Sequence, residues 1–153
     1  MAQSLEQRLT DDIKTAMLAG DSTKVTTLRG LKAALLNAKV ADGSRDSEMA
    51  DDQVIQIFSK EAKKRQESAD LFAQGGNQAK ADAELTEKSL IETFLPAQLS
   101  QDDIAKLVDE AIAATGASAP SDMGKVIGFV KAKAGATADG SVIAKLAKER
   151  LSA

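Results

Sequence analysis

Apolar residues recur along this chain at spacings of three and four, and Leu95-Pro96 marks the break at which the chain divides. That period places them on single faces of α-helices. No stretch alternates apolar and polar residues as a half-buried strand would, and no segment repeats. Pro96 lacks an N–H for a helix ladder and restricts Leu95 before it, so the chain must redirect there. The expectation is an all-α protein of two parts. Residues 1–95 form an N-terminal helical domain of about four helices, and residues 96–153 form a small three-helix domain.

The helix boundaries follow from local signals. Ser4 precedes the stripe Leu5, Leu9, Ile13, Ala16 and Met17, and with Gln7 it fits a reciprocal capping box. Gly20 closes that helix, and Asp21-Ser22 opens a second one carrying Val25, Leu28, Leu31, Leu35 and Leu36. Residues 41–47 (ADGSRDS) break the period and read as an exposed loop. A third helix is expected from Asp51, serving as its own start signal, to about Ala73, ended by Gly75-Gly76. Asn77 caps a fourth through Ala83, Leu90, Ile91 and Phe94. Beyond Pro96, Ser100 begins a helix with Ile104, Leu107, Val108, Ala111 and Ile112 inward, stopped by Gly116. Ala117 to Pro120 is a linker, and Ser121 is expected to cap a short helix from Asp122 to about Lys133. Asp139-Gly140-Ser141 leads into the last helix, with Ile143, Leu146, Ala147 and Leu151 inward and Lys145 and Lys148 outward.

The missing residue types narrow the chemistry. The sequence has no Cys and no His, so disulfides, thiol nucleophiles and the usual general base near neutral pH are excluded. No catalytic residue, metal or cofactor is expected. The start of the chain, MAQSLE, has no basic and apolar signal regions, and no apolar run approaches the ~20 residues of a membrane helix. A cytoplasmic protein without a membrane partner is the expectation. The formal net charge is −3, which argues against DNA coating. From Asp122 onward, however, six basic residues face three acidic ones. That local excess hints at a partner surface.

Three features can carry function. Glu61, Arg65 and Ser68 interrupt the apolar stripe of the third helix (Val54, Ile57, Phe58, Ala69, Phe72). Glu61 and Arg65 are four apart in the favourable order for an ion pair, and Arg29 borders the facing stripe. These three form either a structural network fixing helix register or an interdomain polar pocket. Lys60, Lys63 and Lys64 read as a solvated face or an RNA-phosphate patch. The strongest signal is Asp122-Met123-Gly124-Lys125-Val126-Ile127-Gly128. Two glycines within a helix each cost about 1 kcal/mol relative to Ala. Four apart, Gly124 and Gly128 share a face, either to pack on another tail helix or to admit a nucleic-acid backbone beside Lys125.

An ordered set of segments is similar to the YqeY family, stand-alone relatives of the GatB tail: 28–35 (LRGLKAAL), 60–68 (KEAKKRQES), 94–100 (FLPAQLS), 115–117 (TGA) and 122–128 (DMGKVIG). The resemblance spans nearly the whole chain. It implies a helical N-terminal domain and a GatB-tail-like module, of the kind implicated in holding tRNA during tRNA-dependent amidation. It also implies a carbon–nitrogen ligase flavour with glutamine as amido donor, although this chain holds only the tail-like part. Where the family often has Gly-Arg-Ala-Asp, this chain has Ala136-Thr137-Ala138-Asp139, without the arginine; Ala50 stands where a Thr cap is common. The expected function is a tRNA-associated accessory protein using Lys125, Lys131, Lys133, Lys145 and Lys148 with Gly124 and Gly128. The alternatives are an assistant in tRNA-dependent amidation around Arg29, Glu61 and Arg65, or an adaptor for a tRNA-charging or amidotransferase enzyme without RNA.

Overall fold

The computed structural model describes residues 2–152. Among them lie seven α-helices and no strand: α1 (Leu5–Ala19), α2 (Ser22–Asp42), α3 (Asp51–Gln74), α4 (Gln78–Glu92), α5 (Gln101–Thr115), α6 (Met123–Ala134) and α7 (Gly140–Leu151). Short 3-10 turns occupy Pro120–Asp122 and Gly135–Thr137. The chain divides into two compact units, one ending at Leu95 and the next beginning at Pro96.

In the first unit α1 and α2 are joined by two residues, Gly20 and Asp21. Gly20 takes a left-handed conformation (φ 72°), which an L side chain would resist, and Asp21 at once accepts a hydrogen bond from the Lys24 N–H at 3.1 Å. The core gathers Leu9 and Ile13 from α1, Leu28, Leu31 and Leu35 from α2, Val54, Phe58 and Ala62 from α3, and Ile91 from α4. Each fully buried Leu or Ile contributes about 1.5–3 kcal/mol. Aromatic weight is scarce, and it is concentrated here. Phe58 and Phe94 meet edge to face with centroids 5.6 Å apart. Arg8 of α1 covers Phe94 at 4.5 Å and donates to the Thr93 carbonyl at 3.0 Å, so α1 grips the end of α4 twice.

An ion pair, buried at Lys39 and half-buried at Glu6, crosses this unit. Glu6 of α1 accepts a hydrogen bond from the ammonium of Lys39 on α2, and Lys39 is only 6% exposed. The other Glu6 oxygen accepts from the Met49 N–H at 2.8 Å, which fastens the loop before α3. Sequence reasoning passed over Lys39, although it continues the buried row of Leu31 and Leu35.

Several local expectations are corrected. Helix α2 continues to Asp42, two residues into the expected loop, before Gly43 ends it. Leu36 is 45% exposed rather than in the core, because Leu28, Leu31 and Leu35 already fill the buried face. Ser4 accepts from the Gln7 N–H at 3.2 Å, but its own hydroxyl donates to Glu48, so only half of a capping box is seen. Asp51 does not cap α3; its carboxylate accepts from the Leu5 N–H at 2.9 Å, while Ala50 at the cap has no side-chain bond.

The second unit has its own core: Ile104, Val108 and Ala111 from α5, Val126 and Val130 from α6, and Ile143, Leu146, Ala147 and Leu151 from α7. Ser100 caps α5, accepting from the Asp103 N–H at 3.1 Å. The segment after Pro96 is held by Leu99 N–H donating to the Thr137 carbonyl at 2.7 Å. Ser121 is not a cap. It lies within the 3-10 turn, and Asp122 turns back to accept from the Ser118 and Ala119 N–H groups at 3.0 and 3.3 Å.

The Glu6 pair has a testable consequence. Burial pushes the Glu6 carboxyl up, but hydrogen bonds from Lys39 and Met49 and the charges of Lys39 and Lys32 outweigh it and hold the carboxyl below its ordinary 4.5. A depressed folded-state value means stability that is complete well above pH 4.5 and lost as the pH falls through the lower folded value. Urea unfolding by circular dichroism should show Glu6→Gln less stable by about 3 kcal/mol at pH 7. The gap to wild type should narrow in acid, whereas a gap constant from pH 7 to strongly acidic pH contradicts this account.

Candidate nucleic-acid interface

Helix α6 has two different sides. Val126 and Val130 are fully buried against α5 and α7. Gly124 and Gly128, four apart, lie on the opposite side and are exposed. A Cβ built on either glycine meets nothing within 4 Å beyond its chain neighbours and the helix's own backbone. Packing of one tail helix on another, the simpler reading of the pair, therefore does not explain it. Ala132 continues the row, four residues on and also exposed. The result is a strip of α6 with almost no side chain, where an incoming backbone can come close.

Two lysines flank that strip. Lys131 lies seven residues from Gly124 and three from Gly128, which puts it on the same face at 100° per residue. Its side chain runs toward the start of α7, since a Cβ built on Gly140 would sit 3.7 Å from its Cε. Lys125 borders the other side and is held by Asp122 at 3.7 Å. Hydrogen bonds from the Ser118 and Ala119 N–H groups hold the Asp122 carboxyl below its ordinary value, with Lys125 adding to the effect. Asp122 stays ionised and offsets part of the Lys125 charge.

The remaining basic residues fall into two groups. Lys133 pairs with Glu110, and its ammonium stands 5.2 Å over the Phe129 ring; Arg150 pairs with Asp109 at 2.8 Å, which raises its pKa further. Lys131, Lys145 and Lys148 are exposed and, among the described residues, have no carboxylate within ion-pair distance. Sequence reasoning did not foresee Asp109 and Glu110 as partners, because they lie on α5, more than twenty residues upstream, and only the fold brings them near. Over residues 96–153 there are seven Lys and Arg against seven Asp and Glu, so the basic excess of α6 and α7 is balanced within the unit by α5.

Thr137, at the position where the resemblance often places an arginine, turns its hydroxyl onto the Ala134 carbonyl at 2.6 Å.

In the first unit Arg29, Glu61 and Arg65 each take other partners. Arg29 is exposed and approaches the Met17 sulfur at 3.5 Å. Glu61 pairs with Lys64 at 2.9 Å. Arg65 reaches across to α4, to Glu84 at 3.4 Å and Glu87 at 3.3 Å. The expected three-residue network is thus not formed. The acids of α4 lie closer to Arg65 than Glu61 does, and together they lock α3 to α4. Lys60 and Lys63 are exposed, as solvated lysines are. Among the described residues no group of three or more carboxylates is placed to hold a metal ion, and no helix is long and apolar enough to cross a membrane.

These features describe an all-helical protein whose second unit displays a glycine-rich helix face between lysines. The family model described as Yqey-like protein matches residues 6–151, and the chain belongs to the YqeY family. It is similar to Altered inheritance of mitochondria protein 41, mitochondrial, of Eremothecium gossypii, at 37% identity over 89 residues. That match covers 58% of this chain and 48% of the relative, so it spans about half the length of the curated protein.

If the glycines serve access and not packing, Ala should fit at both positions. Gly128→Ala should stabilise the protein by about 1 kcal/mol, and Gly124→Ala by less, since it lies in the first turn of α6. A lowered urea midpoint for Gly128→Ala would show an unseen packing role.

Proposed function

We propose that this protein is a tRNA-associated accessory protein, and that its second unit meets structured RNA along the open face of α6. The observation that carries this reading is the pair Gly124 and Gly128: exposed, helical, without packing neighbours, and flanked by Lys131 and Lys125. A helix interior that forgoes about 1 kcal/mol at glycine and gains no packing points to something outside the fold that needs the space. A sugar-phosphate backbone suits it, with Lys131, Lys145 and Lys148 supplying charge. The protein has neither Trp nor Tyr, so contacts to shape and phosphates fit better than stacking on unpaired bases.

The reading as an assistant in amidation required Arg29, Glu61 and Arg65 around one pocket. Each of them has a different partner, and among the described residues no pocket is lined by the three, which removes that support.

Filter binding of the full chain to tRNA at several salt concentrations tests the proposal. Each phosphate contact adds about 0.9 to the log–log salt slope on duplex RNA-like targets. Lys131→Ala and Lys148→Ala should each lower the slope by about that amount. Lys133→Ala, already engaged with Glu110, should change it less. Gly128→Leu should weaken binding with the slope retained, because it blocks approach without removing charge. Weak binding that none of these substitutions alters would sink the idea. Capture of a protein partner that survives ribonuclease would replace it with the adaptor reading.

A further inference from the structure

The first unit holds a cleft that the RNA reading does not use. Its inner part, about 190 Å³, lies between α1 and α2, with Leu9, Leu35 and Leu36 as an apolar wall and Lys32, Lys39 and Arg45 around it. The exposed Leu36, surplus to the core, belongs to that wall. Through Glu6, Thr10, Lys39 and Arg45 this part opens into an outer cleft of about 500 Å³ beside residues 45–48.

The charges at the two depths differ in sign. Inside, Glu6 is the one carboxylate among three cations, and both its oxygens are engaged, by Lys39 and by the Met49 N–H. Lys32 and Arg45 have no ion-pair partner among the described residues, and Lys32 lies near enough for its charge to act on Glu6. Two uncompensated cations therefore border an apolar wall, where an anion would be stabilised. Outside, Asp11, Asp46 and Glu48 line the approach. Those carboxylates repel a polyanion but leave room for a compact single charge. The inner volume is below the 300–1,000 Å³ of drug-sized sites, which limits the occupant to a few carbons.

We propose that this cleft is a binding site for a small organic monoanion with a short apolar body, its charged head between Lys32 and Arg45 and its body on Leu35 and Leu36. Hexanoate serves as the probe, titrated into the full chain with methyl-labelled leucines and followed by NMR. Saturable shifts of the Leu35 and Leu36 methyls are expected. Lys32→Gln and Arg45→Gln, both at exposed positions that leave the Glu6–Lys39 pair intact, should each weaken binding about fivefold. Hexylamine should not bind, and inorganic phosphate should bind more weakly than hexanoate because it has no body for the leucine wall. The proposal is overturned by an absence of saturable shifts, by equal binding of hexylamine or of phosphate, or by an affinity that neither substitution changes. Circular dichroism of each variant separates loss of binding from loss of fold.

Discussion

The carboxylate of Glu6 is the point at which the first unit is tied together. It holds Lys39 of α2 with one oxygen and the Met49 N–H of the next loop with the other. Burying an ion pair gains little over apolar packing, but leaving either charge alone in that position costs several kcal/mol. The pair therefore acts on register more than on net stability. Sliding α2 by one turn would bring Leu35 or Leu36, or in the other direction Asp42, near Glu6 and carry Lys39 away, leaving the pair broken. Aliphatic side chains, which make up most of this core, interchange without such a penalty and discriminate poorly between registers. Arg8 supplies the second tie, since its planar group both covers Phe94 and bonds the Thr93 carbonyl, fixing the end of α4 against α1.

Much of the architecture was legible in the sequence because helices announce themselves locally. The 3.6-residue period, the caps Asp21, Asn77 and Ser100, and the stops Gly20 and Gly116 are each settled within a few residues. What was misread lies in contacts between elements. Asp51 does begin α3, but it also looked like that helix's cap, and its carboxylate goes instead to Leu5, forty-six residues away. Arg65 looked committed to Glu61 by spacing, yet two acids on α4 lie within reach once the helices pack. Ser121 looked like a cap, but Pro120 begins a 3-10 turn there and displaces the helix start by one residue. Lys39 could have been found: it falls on the apolar row of α2, and a charge on such a row implies a buried partner.

The candidate interface shows the same division. Gly124 and Gly128 were visible as an anomaly, but the sequence could not separate tight packing from open access, because both ask for a missing side chain. Only the emptiness around each Cβ position distinguishes them. The lysines were visible too, whereas their pairing was not. Of the five singled out, Lys125 and Lys133 are held by carboxylates, and three remain free of ion pairs among the described residues.

That pairing bears on how the second unit would meet a polyanion. Its charges balance overall, so attraction at long range is weak and screened within about 10 Å at ordinary salt. Recognition would then rest on the local arrangement, in which α5 carries most of the acids and α6 and α7 carry Lys131, Lys145 and Lys148, without ion pairs among the described residues. A phosphate backbone approaching from the α5 side meets Asp102 and Asp103, and one approaching the glycine strip meets Lys131. The surface pairs on α5 also matter, because an exposed ion pair is worth at most about 1 kcal/mol and yields readily to a phosphate. On the proposed reading, Lys133 and Arg150 would be a second rank of cations, released from Glu110 and Asp109 once a stronger anion is in place. On the proposed reading, a unit built this way would bind where side chains are absent and charge is local, which would favour a shaped partner over a merely acidic one.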